Sequence, residues 1–92
     1  MQVIFLENTE QVNEFTERLR SATLQELVDS YNSQVGNPGW VSAKGRFLHA
    51  LYHEFKRREI DITVIDSGAG LRLDKRIVLD VSGKRVMIAV TR

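Results

Sequence analysis

The chain has 92 residues, of which 42% are hydrophobic and 27% are charged, and its formal net charge is +1. These values are those of one small globular domain spanning residues 1–92. They exclude disulfide bonds and cysteine-rich zinc sites, because there is no cysteine, and no apolar run approaches the ~20 residues that cross a membrane. We therefore expect a cytoplasmic protein with no membrane partner.

Charge is distributed unevenly along the chain. Residues 1–30 contain six acids against two arginines, whereas residues 44–58 contain five bases against one glutamate. This asymmetry predicts an acidic and a basic surface on the same domain. A basic surface on one helix is typical of domains that bind nucleic acids or acidic proteins.

The first part of the chain predicts a strand followed by a helix. Residues 2–6 are a short apolar run, and the polar residues after them resemble a capping box formed by Asn8 and Gln11. Apolar residues then recur at helical spacing up to about Arg20. We predict a first strand over residues 2–6 and a first helix ending near Arg20.

The second helix has the clearest boundaries in the sequence. Thr23 with Glu26 three residues later forms a capping box, and Gly36 is placed to end the helix in a left-handed conformation. Between them, the apolar residues follow the pattern of one helix face, at Leu24, Leu27, Val28, Tyr31 and Val35. These residues predict a helix that packs against the core.

The third helix begins either at Asn37, with Pro38 as its first residue, or later, with Ser42 as its cap. Its sequence has two faces. The core-forming face consists of Val41, Leu48, Leu51, Tyr52 and Phe55. The basic face consists of Arg46, His49, His53, Lys56 and Arg57.

Beyond the third helix, the apolar period changes from helical to two. Residues 60–64 alternate as in a strand, and the apolar residues between 71 and 81 fall on odd positions, as on one face of a long strand. Ser82 and Gly83 predict a hairpin turn, and residues 86–90 alternate as in a last strand.

The predicted order is therefore β-α-α-α-β-β-β, an α+β fold in which a helical layer packs on an antiparallel meander of three or four strands. The two periodicities also predict the core. On the helical side we expect Leu24, Leu27, Val28, Tyr31, Leu48, Leu51 and Phe55. On the strand side we expect Ile62, Val64, Leu79 and Ile88.

No pattern of catalytic residues emerges. His49 and His53 share a helix face, but a zinc site needs at least a third protein ligand, and none is signalled. Asp80 and Lys84 lie on opposite sides of the predicted turn, as polar residues flanking a hairpin commonly do. We predict a protein that is not an enzyme and that needs no metal or cofactor.

The second and third helices, a short Gly/Pro connection and a hairpin with Lys84 and Arg85 near its tip are similar to a winged helix, over residues 23–90. The resemblance implies that the second of these helices enters the DNA major groove and that the hairpin contacts the backbone. The predicted nucleic-acid contacts are Lys44, Arg46, His49, His53, Lys56, Arg57, Lys84 and Arg85.

A protein-binding module, acting as an inhibitor or an adaptor, is the alternative hypothesis. Its contact surface would be the acidic first helix or the region of Trp40, the only tryptophan. The two hypotheses predict different electrostatics. A continuous positive band on the third helix favours a nucleic acid, whereas an acidic first helix packed over that band favours a protein partner.

Overall fold

The computed structural model describes residues 13–36 and 41–90. In these residues the chain forms a small α+β fold with three helices and a two-stranded antiparallel hairpin. The elements are α1 (Thr16–Arg20), α2 (Leu24–Gln34), α3 (Val41–Arg57), a 3₁₀ turn (Thr63–Ile65), β1 (Ile77–Leu79) and β2 (Val86–Ile88). None of the helices described here has the length and apolar character needed to cross a bilayer.

Side chains that accept backbone hydrogen bonds stabilise the turn before α1 and the first turn of α2. Asn13 Oδ1 accepts from the Phe15 N–H at 2.9 Å, immediately before α1. Thr23 and Glu26 form the predicted capping box, with bonds of 3.0 and 2.8 Å. The predicted end of the first helix at Arg20 is confirmed, but its predicted course is wrong over residues 13–15, which form a turn before α1. The predicted cap at Asn8 and the strand over residues 2–6 lie outside the described residues.

The prediction that Gly36 ends α2 in a left-handed conformation is confirmed. Gly36 has a φ of 76°, as the predicted left-handed residue after α2 requires. Because α3 already includes Val41, Ser42 lies inside the helix, and the prediction of Ser42 as its cap is wrong. The other predicted start, Asn37 with Pro38, lies outside the described residues.

The end of α3 is a Schellman motif built on a glutamate instead of a glycine. The Ile60 N–H donates to the Phe55 carbonyl, and the Glu59 N–H donates to the Lys56 carbonyl, each at 3.0 Å. Glu59 lies between them with a φ of 59°, in the left-handed region that disfavours residues with a Cβ. The turn buries Ile60 and directs the chain back towards the hairpin.

Replacing Glu59 with glycine should therefore stabilise the fold. We expect Glu59→Gly to raise the free energy of unfolding by about 0.5–1 kcal/mol, because the relief of left-handed strain exceeds the entropic cost of glycine. The melting temperature should rise by several degrees, as measured by calorimetry or circular dichroism. Glu59→Ala, which keeps the Cβ, is the control and should give no such rise. Equal melting temperatures for the two variants would contradict the strain assigned to this residue.

The segment after α3 is not the strand that its alternation predicts. Asp61 makes one isolated parallel bridge to Arg85, and the chain then turns into the 3₁₀ segment. The Asp61 carboxylate accepts from both the N–H and the hydroxyl of Thr63, at 2.9 and 2.6 Å, and these bonds stabilise a turn. As a result Val64 is 40% exposed, and its predicted place in the core is wrong.

The hairpin is shorter than predicted. β1 and β2 pair antiparallel with Ile77 opposite Ile88, Val78 opposite Met87 and Leu79 opposite Val86. The predicted strand over residues 71–81 is regular only at 77–79, because Leu71 makes only an isolated bridge to Asp66 and the turn begins after Asp80. The predicted turn at Ser82 and Gly83 is confirmed. The three- or four-stranded meander and the winged-helix arrangement are not confirmed by the described residues.

The core lies between the helices and the inner face of the hairpin. α3 contributes the largest share, with Phe47, Ala50, Leu51 and Phe55 all buried. The other buried apolar residues are Leu19, Leu27, Val28, Tyr31, Ile60, Ile62, Ile65, Ile77 and Val86. Four predicted core residues, Leu24, Leu48, Leu79 and Ile88, are only partly buried and pack at its margin. Phe47 is not among the predicted core residues, yet it is buried and contacts Phe15 edge to face, with ring centroids 5.4 Å apart.

Candidate interaction surface

Two surfaces are candidates for a binding site: the basic face of α3, which exposes charged side chains, and the outward face of the β1–β2 hairpin, which exposes apolar ones. On α3, Arg46, His49, Lys56 and Arg57 are exposed, while Lys44 and His53 are half-buried. The helix therefore brings the predicted bases to the surface. Their electrostatic effect depends on the acids that surround them.

Arg46 is paired with an acid from the turn that precedes α1. Its Nε lies 3.1 and 2.9 Å from the two carboxylate oxygens of Glu14, and its Nη2 lies 2.9 Å from Oε2. The hydrogen bonds from Arg46 hold the pKa of Glu14 below its usual value. The segment that precedes α1 thus places a negative charge directly against the basic face of α3.

Glu54, a buried residue of α3, neutralises positive charge at the C-terminal end of this helix. Its side chain is only 3% exposed, and its Oε2 lies 2.7 Å from Arg57 Nη2 and 2.6 Å from Arg58 Nε. The guanidinium group of Arg58 also reaches the C-terminal end of α1, where its Nη2 donates to the carbonyls of Leu19 and Ala22 at 3.0 and 2.7 Å. This Glu54–Arg58 clamp joins the end of α3 to the end of α1, and Glu54 also pairs with Arg57, which the sequence assigned to a nucleic-acid partner.

Two more of the predicted bases, Lys56 and Arg85, also lie near acidic side chains. Lys56 Nζ lies 3.5 Å from an Asp66 oxygen and 5.5 Å from the ring centroid of Tyr52. Arg85 Nη2 lies 3.5 Å from Asp80 Oδ2, across the hairpin. Every arginine on the predicted basic face and Lys56 therefore have an acidic neighbour, and the face is a mosaic of opposite charges.

The two histidines of α3 contact each other edge to face. The ring centroids of His49 and His53 are 4.4 Å apart, and the second ring also meets Tyr52 at 5.4 Å. Residues 13–36 and 41–90 contain no group of three histidine, aspartate or glutamate side chains placed to hold a metal ion. A shallow groove of about 220 Å³ lies between these histidines and residues 69–71, below the usual size of a small-molecule site.

The buried Glu54 makes the stability of the fold dependent on pH. Burial alone would raise the pKa of this carboxyl. The hydrogen bonds and charges of Arg57 and Arg58 lower it by more, so that the pKa lies below its ordinary value of 4.5. A lowered folded-state pKa stabilises the fold above the unfolded pKa, and this stabilisation is lost as the pH falls through the folded-state pKa.

We therefore expect the free energy of unfolding to decline as the pH falls below 4.5, partly through Glu54. Glu54→Gln should be less stable than the parent at neutral pH, yet should lose less stability on acidification, because its amide does not titrate. Urea titrations over a pH series measure both effects. Parallel losses in parent and variant would show that Glu54 does not contribute to acid unfolding.

The outward face of the hairpin differs in composition from α3. Val78 and Met87 are directly opposite each other in the strand register, and they are 44% and 37% exposed. All large apolar residues that are exposed in the described chain lie in its C-terminal half, at Val64, Val78, Val81, Met87 and Val90. Exposed aliphatic side chains on adjacent strands are a feature of protein contact surfaces.

Bases border this apolar pair at both ends of the hairpin. Arg76 precedes β1, and Lys84 and Arg85 follow the turn; all three are exposed. Arg76 Nη1 contacts the Asn32 carbonyl at 3.4 Å, and within the described residues neither Arg76 nor Lys84 forms an ion pair. In the described part of the chain, Arg76 and Lys84 are therefore the hairpin bases without an ion pair, whereas Arg85 lies between Asp80 and Asp61.

The free edge of β1 is occupied at Ile77 by a side chain from α2. Asn32 accepts from the Ile77 N–H at 2.7 Å and donates to the Ile77 carbonyl at 2.9 Å. The amide thus makes the two hydrogen bonds that a neighbouring strand would make. A partner at this end of the hairpin must bind through side chains on the outward face.

Sequence reasoning located the paired bases but missed the hairpin face. The signal was present: the alternation that directs Ile77 and Leu79 inward also directs Val78 outward, and the same holds for Met87 between Val86 and Ile88. Trp40, the other predicted partner contact, lies outside the described residues. Comparison of the chain with protein-family models, with curated proteins and with solved structures finds no match.

Proposed function

We propose that the chain is a non-enzymatic protein-binding module and that its contact surface is the outward face of the β1–β2 hairpin. The observation that carries the proposal is the pairing of Val78 with Met87, two exposed aliphatic side chains on adjacent strands. Such a pair offers apolar area at the centre of a contact, with charged residues at its rim.

The electrostatics of α3 support a protein partner over a nucleic acid. A nucleic-acid surface gains affinity from bases that are free to replace counterions along the phosphate backbone. Here Arg46 is held by Glu14 and Arg57 by Glu54, so that binding phosphates would require each arginine to share or leave its carboxylate. The acidic residue against the basic face is the arrangement expected of the protein-binding alternative.

A site-specific cross-linking experiment tests the proposal. A photoreactive amino acid replaces Val78 in one variant and Met87 in another, in the full chain expressed in its native cell. Because the two residues are strand partners, both variants should form an adduct with the same protein. The matched control replaces Val64, which is similarly exposed at 40% but lies on the 3₁₀ turn. An adduct that nuclease removes, or equal adducts at all three positions, would contradict the proposal.

The competing nucleic-acid function stays a prediction, supported by the exposed Lys84 and Arg85 near the turn. It predicts duplex DNA binding that weakens steeply with salt, with a slope of about −0.9 for each phosphate contact. Arg46→Ala with Arg57→Ala should flatten that slope by roughly two if α3 contacts phosphates. The protein-binding proposal expects weak DNA binding that these substitutions barely change. Gel-shift titrations at two salt concentrations separate the two functions.

A further inference from the structure

We propose that the protein partner binds as an extended strand that adds to the outer edge of β2, beyond Val86, and enlarges the two-stranded sheet to three strands. This inference rests on the proposed function and specifies how the partner is held. It depends on backbone groups of β2 that no described residue occupies. Pairing of main chains at an exposed sheet edge is a common way in which proteins recognise extended segments.

The register of the hairpin shows which backbone groups of β2 point away from β1. The Ala89 N–H donates to the Arg76 carbonyl at 2.9 Å, and Ile88 lies opposite Ile77 on the neighbouring rung. In an antiparallel ladder, hydrogen-bonded rungs alternate with rungs whose N–H and carbonyl groups point outward. The N–H and carbonyl of Ile88 therefore lie on the outer edge of β2. The bonds between Asn32 and the same two groups of Ile77, on the outer edge of β1, agree with this alternation.

The chain itself covers the outer edge of β2 only as far as Val86. The Val86 N–H donates to the Asp61 carbonyl at 3.0 Å, next to an isolated parallel bridge. A longer ladder would continue through the N–H and carbonyl of Thr63, but the Asp61 carboxylate binds that N–H, and the carbonyl accepts from the Asp66 N–H. The chain thus turns away, and in the part of it that the structure describes, the N–H and carbonyl of Ile88 have no hydrogen-bond partner.

The open edge extends past β2 to Val90. Because the bond from Ala89 to Arg76 continues the pairing by one residue, the Val90 N–H points to the same side as the Ile88 N–H. Val90 is 83% exposed, so its surroundings leave space for another chain. Outward groups at two successive positions can hold an extended segment of roughly five residues.

The place of this edge favours a strand from another protein as its occupant. On β1, Asn32 closes the edge at Ile77, and only Leu79 points outward between that residue and the turn. On β2, the open edge adjoins Met87, so an added strand brings its own side chains beside the Val78–Met87 pair. The partner that fits is an extended segment with an aliphatic residue beside Met87 and no proline at the pairing positions. A nucleic acid has no row of amide groups to pair with such an edge.

Amide hydrogen exchange in the purified full chain, labelled with ¹⁵N, tests whether the edge is open. At low concentration we expect the Ile88 amide to exchange at least roughly tenfold faster than the Met87 amide, which faces Val78 inside the ladder. Protection of Ile88 at every concentration would show that another part of the chain occupies the edge. Protection that appears only at high concentration would identify a second copy of the chain. Either result overturns the inference.

Two substitutions at Val90 test strand addition in the cell. Val90→Pro removes the outward N–H and places a ring at the edge, whereas Val90→Thr keeps both the N–H and a β-branched side chain. Each is combined with the photoreactive amino acid in place of Met87, in the full chain expressed in its native cell. We expect Val90→Pro to lower the yield of the adduct roughly tenfold and Val90→Thr to leave it within about twofold. Because Val90 is exposed and outside the core, both variants should melt like the parent, as checked by circular dichroism.

The outcomes separate this inference from the proposed function. Undiminished adducts with Val90→Pro, together with adducts at residues 78 and 87, would mean that the partner binds the face without adding a strand. Equal losses with Val90→Pro and Val90→Thr would assign the contact to the side chain of Val90 and overturn strand pairing. Absence of adducts at residues 78 and 87 in the otherwise unchanged chain would overturn both proposals.

Discussion

Leu51→Ala should lower the free energy of unfolding by ~2–5 kcal/mol. The Leu51 side chain is fully buried on α3, the helix that contributes most to the core. Truncation removes buried methyl groups and leaves a cavity that the surrounding side chains fill only partly. A domain of this size has a total stability of roughly 5–15 kcal/mol, so much of the population could unfold at 37 °C.

Leu48→Ala is the matched control, since Leu48 lies on the same helix but is only partly buried at the margin of the core. Its loss should be clearly smaller than that of Leu51→Ala, in urea titrations followed by circular dichroism. The comparison is sensitive to the orientation of α3. Equal losses, or a parent-like melting curve for Leu51→Ala, would show that the helix presents a different face to the core.

Arg58→Ala should be the most damaging substitution of a charged residue. Arg58 Nε lies 2.6 Å from Glu54 Oε2, and its Nη2 donates to backbone carbonyls at the end of α1. Removal takes the guanidinium donor away from the Ala22 and Leu19 carbonyls, of which Leu19 keeps the Ala22 N–H, and leaves the buried Glu54 with one arginine in place of two. We expect a loss of about 3 kcal/mol, as when one partner of a buried ion pair is deleted.

Two variants distinguish the clamp from a simple effect of charge. Arg57→Ala removes an arginine that pairs with the same glutamate but is 50% exposed, and should cost at most about 1 kcal/mol. Arg58→Lys retains the charge without the planar set of donors, and should lose most of the stability that Arg58→Ala loses. Hydrogen exchange should report faster opening of α1 in both Arg58 variants. If Arg58→Ala and Arg57→Ala unfold alike, the link to α1 has little energetic weight.

Local signals predicted the helices better than the strands. The α2 capping box and Gly36 act within a few residues, so the sequence alone determines those boundaries. The predicted strand over residues 60–64 failed because alternation of apolar residues cannot show that the Asp61 side chain stabilises a turn with Thr63. The segment with the 3₁₀ turn buries Ile60, Ile62 and Ile65 in the core, so these apolar residues do not need a strand to leave solvent.

The candidate site was harder to predict because its electrostatics depend on contacts between distant residues. Glu14 and Arg46 are 32 positions apart in the chain, and nothing local in the sequence indicates that they meet. The basic face of α3 was predicted correctly in part: Arg46, His49 and Arg57 are exposed, whereas His53 is half-buried. The outward face of the hairpin, by contrast, could have been predicted from the sequence, because alternation along each strand places Val78 and Met87 opposite to their buried neighbours.

The amide of Asn32 has a consequence for the behaviour of this chain in a crowded solution. The exposed edge of a strand can pair with the edge of another molecule through its unsatisfied backbone groups, and apolar side chains beside that edge favour the contact. By filling the hydrogen-bonding positions of Ile77, a helix side chain blocks that route at one end of β1 while leaving Val78 and Met87 exposed. Another strand can therefore pair with this end of β1 only if it displaces the Asn32 amide, so that the side chain of a single helix residue guards the sheet edge beside two exposed apolar residues.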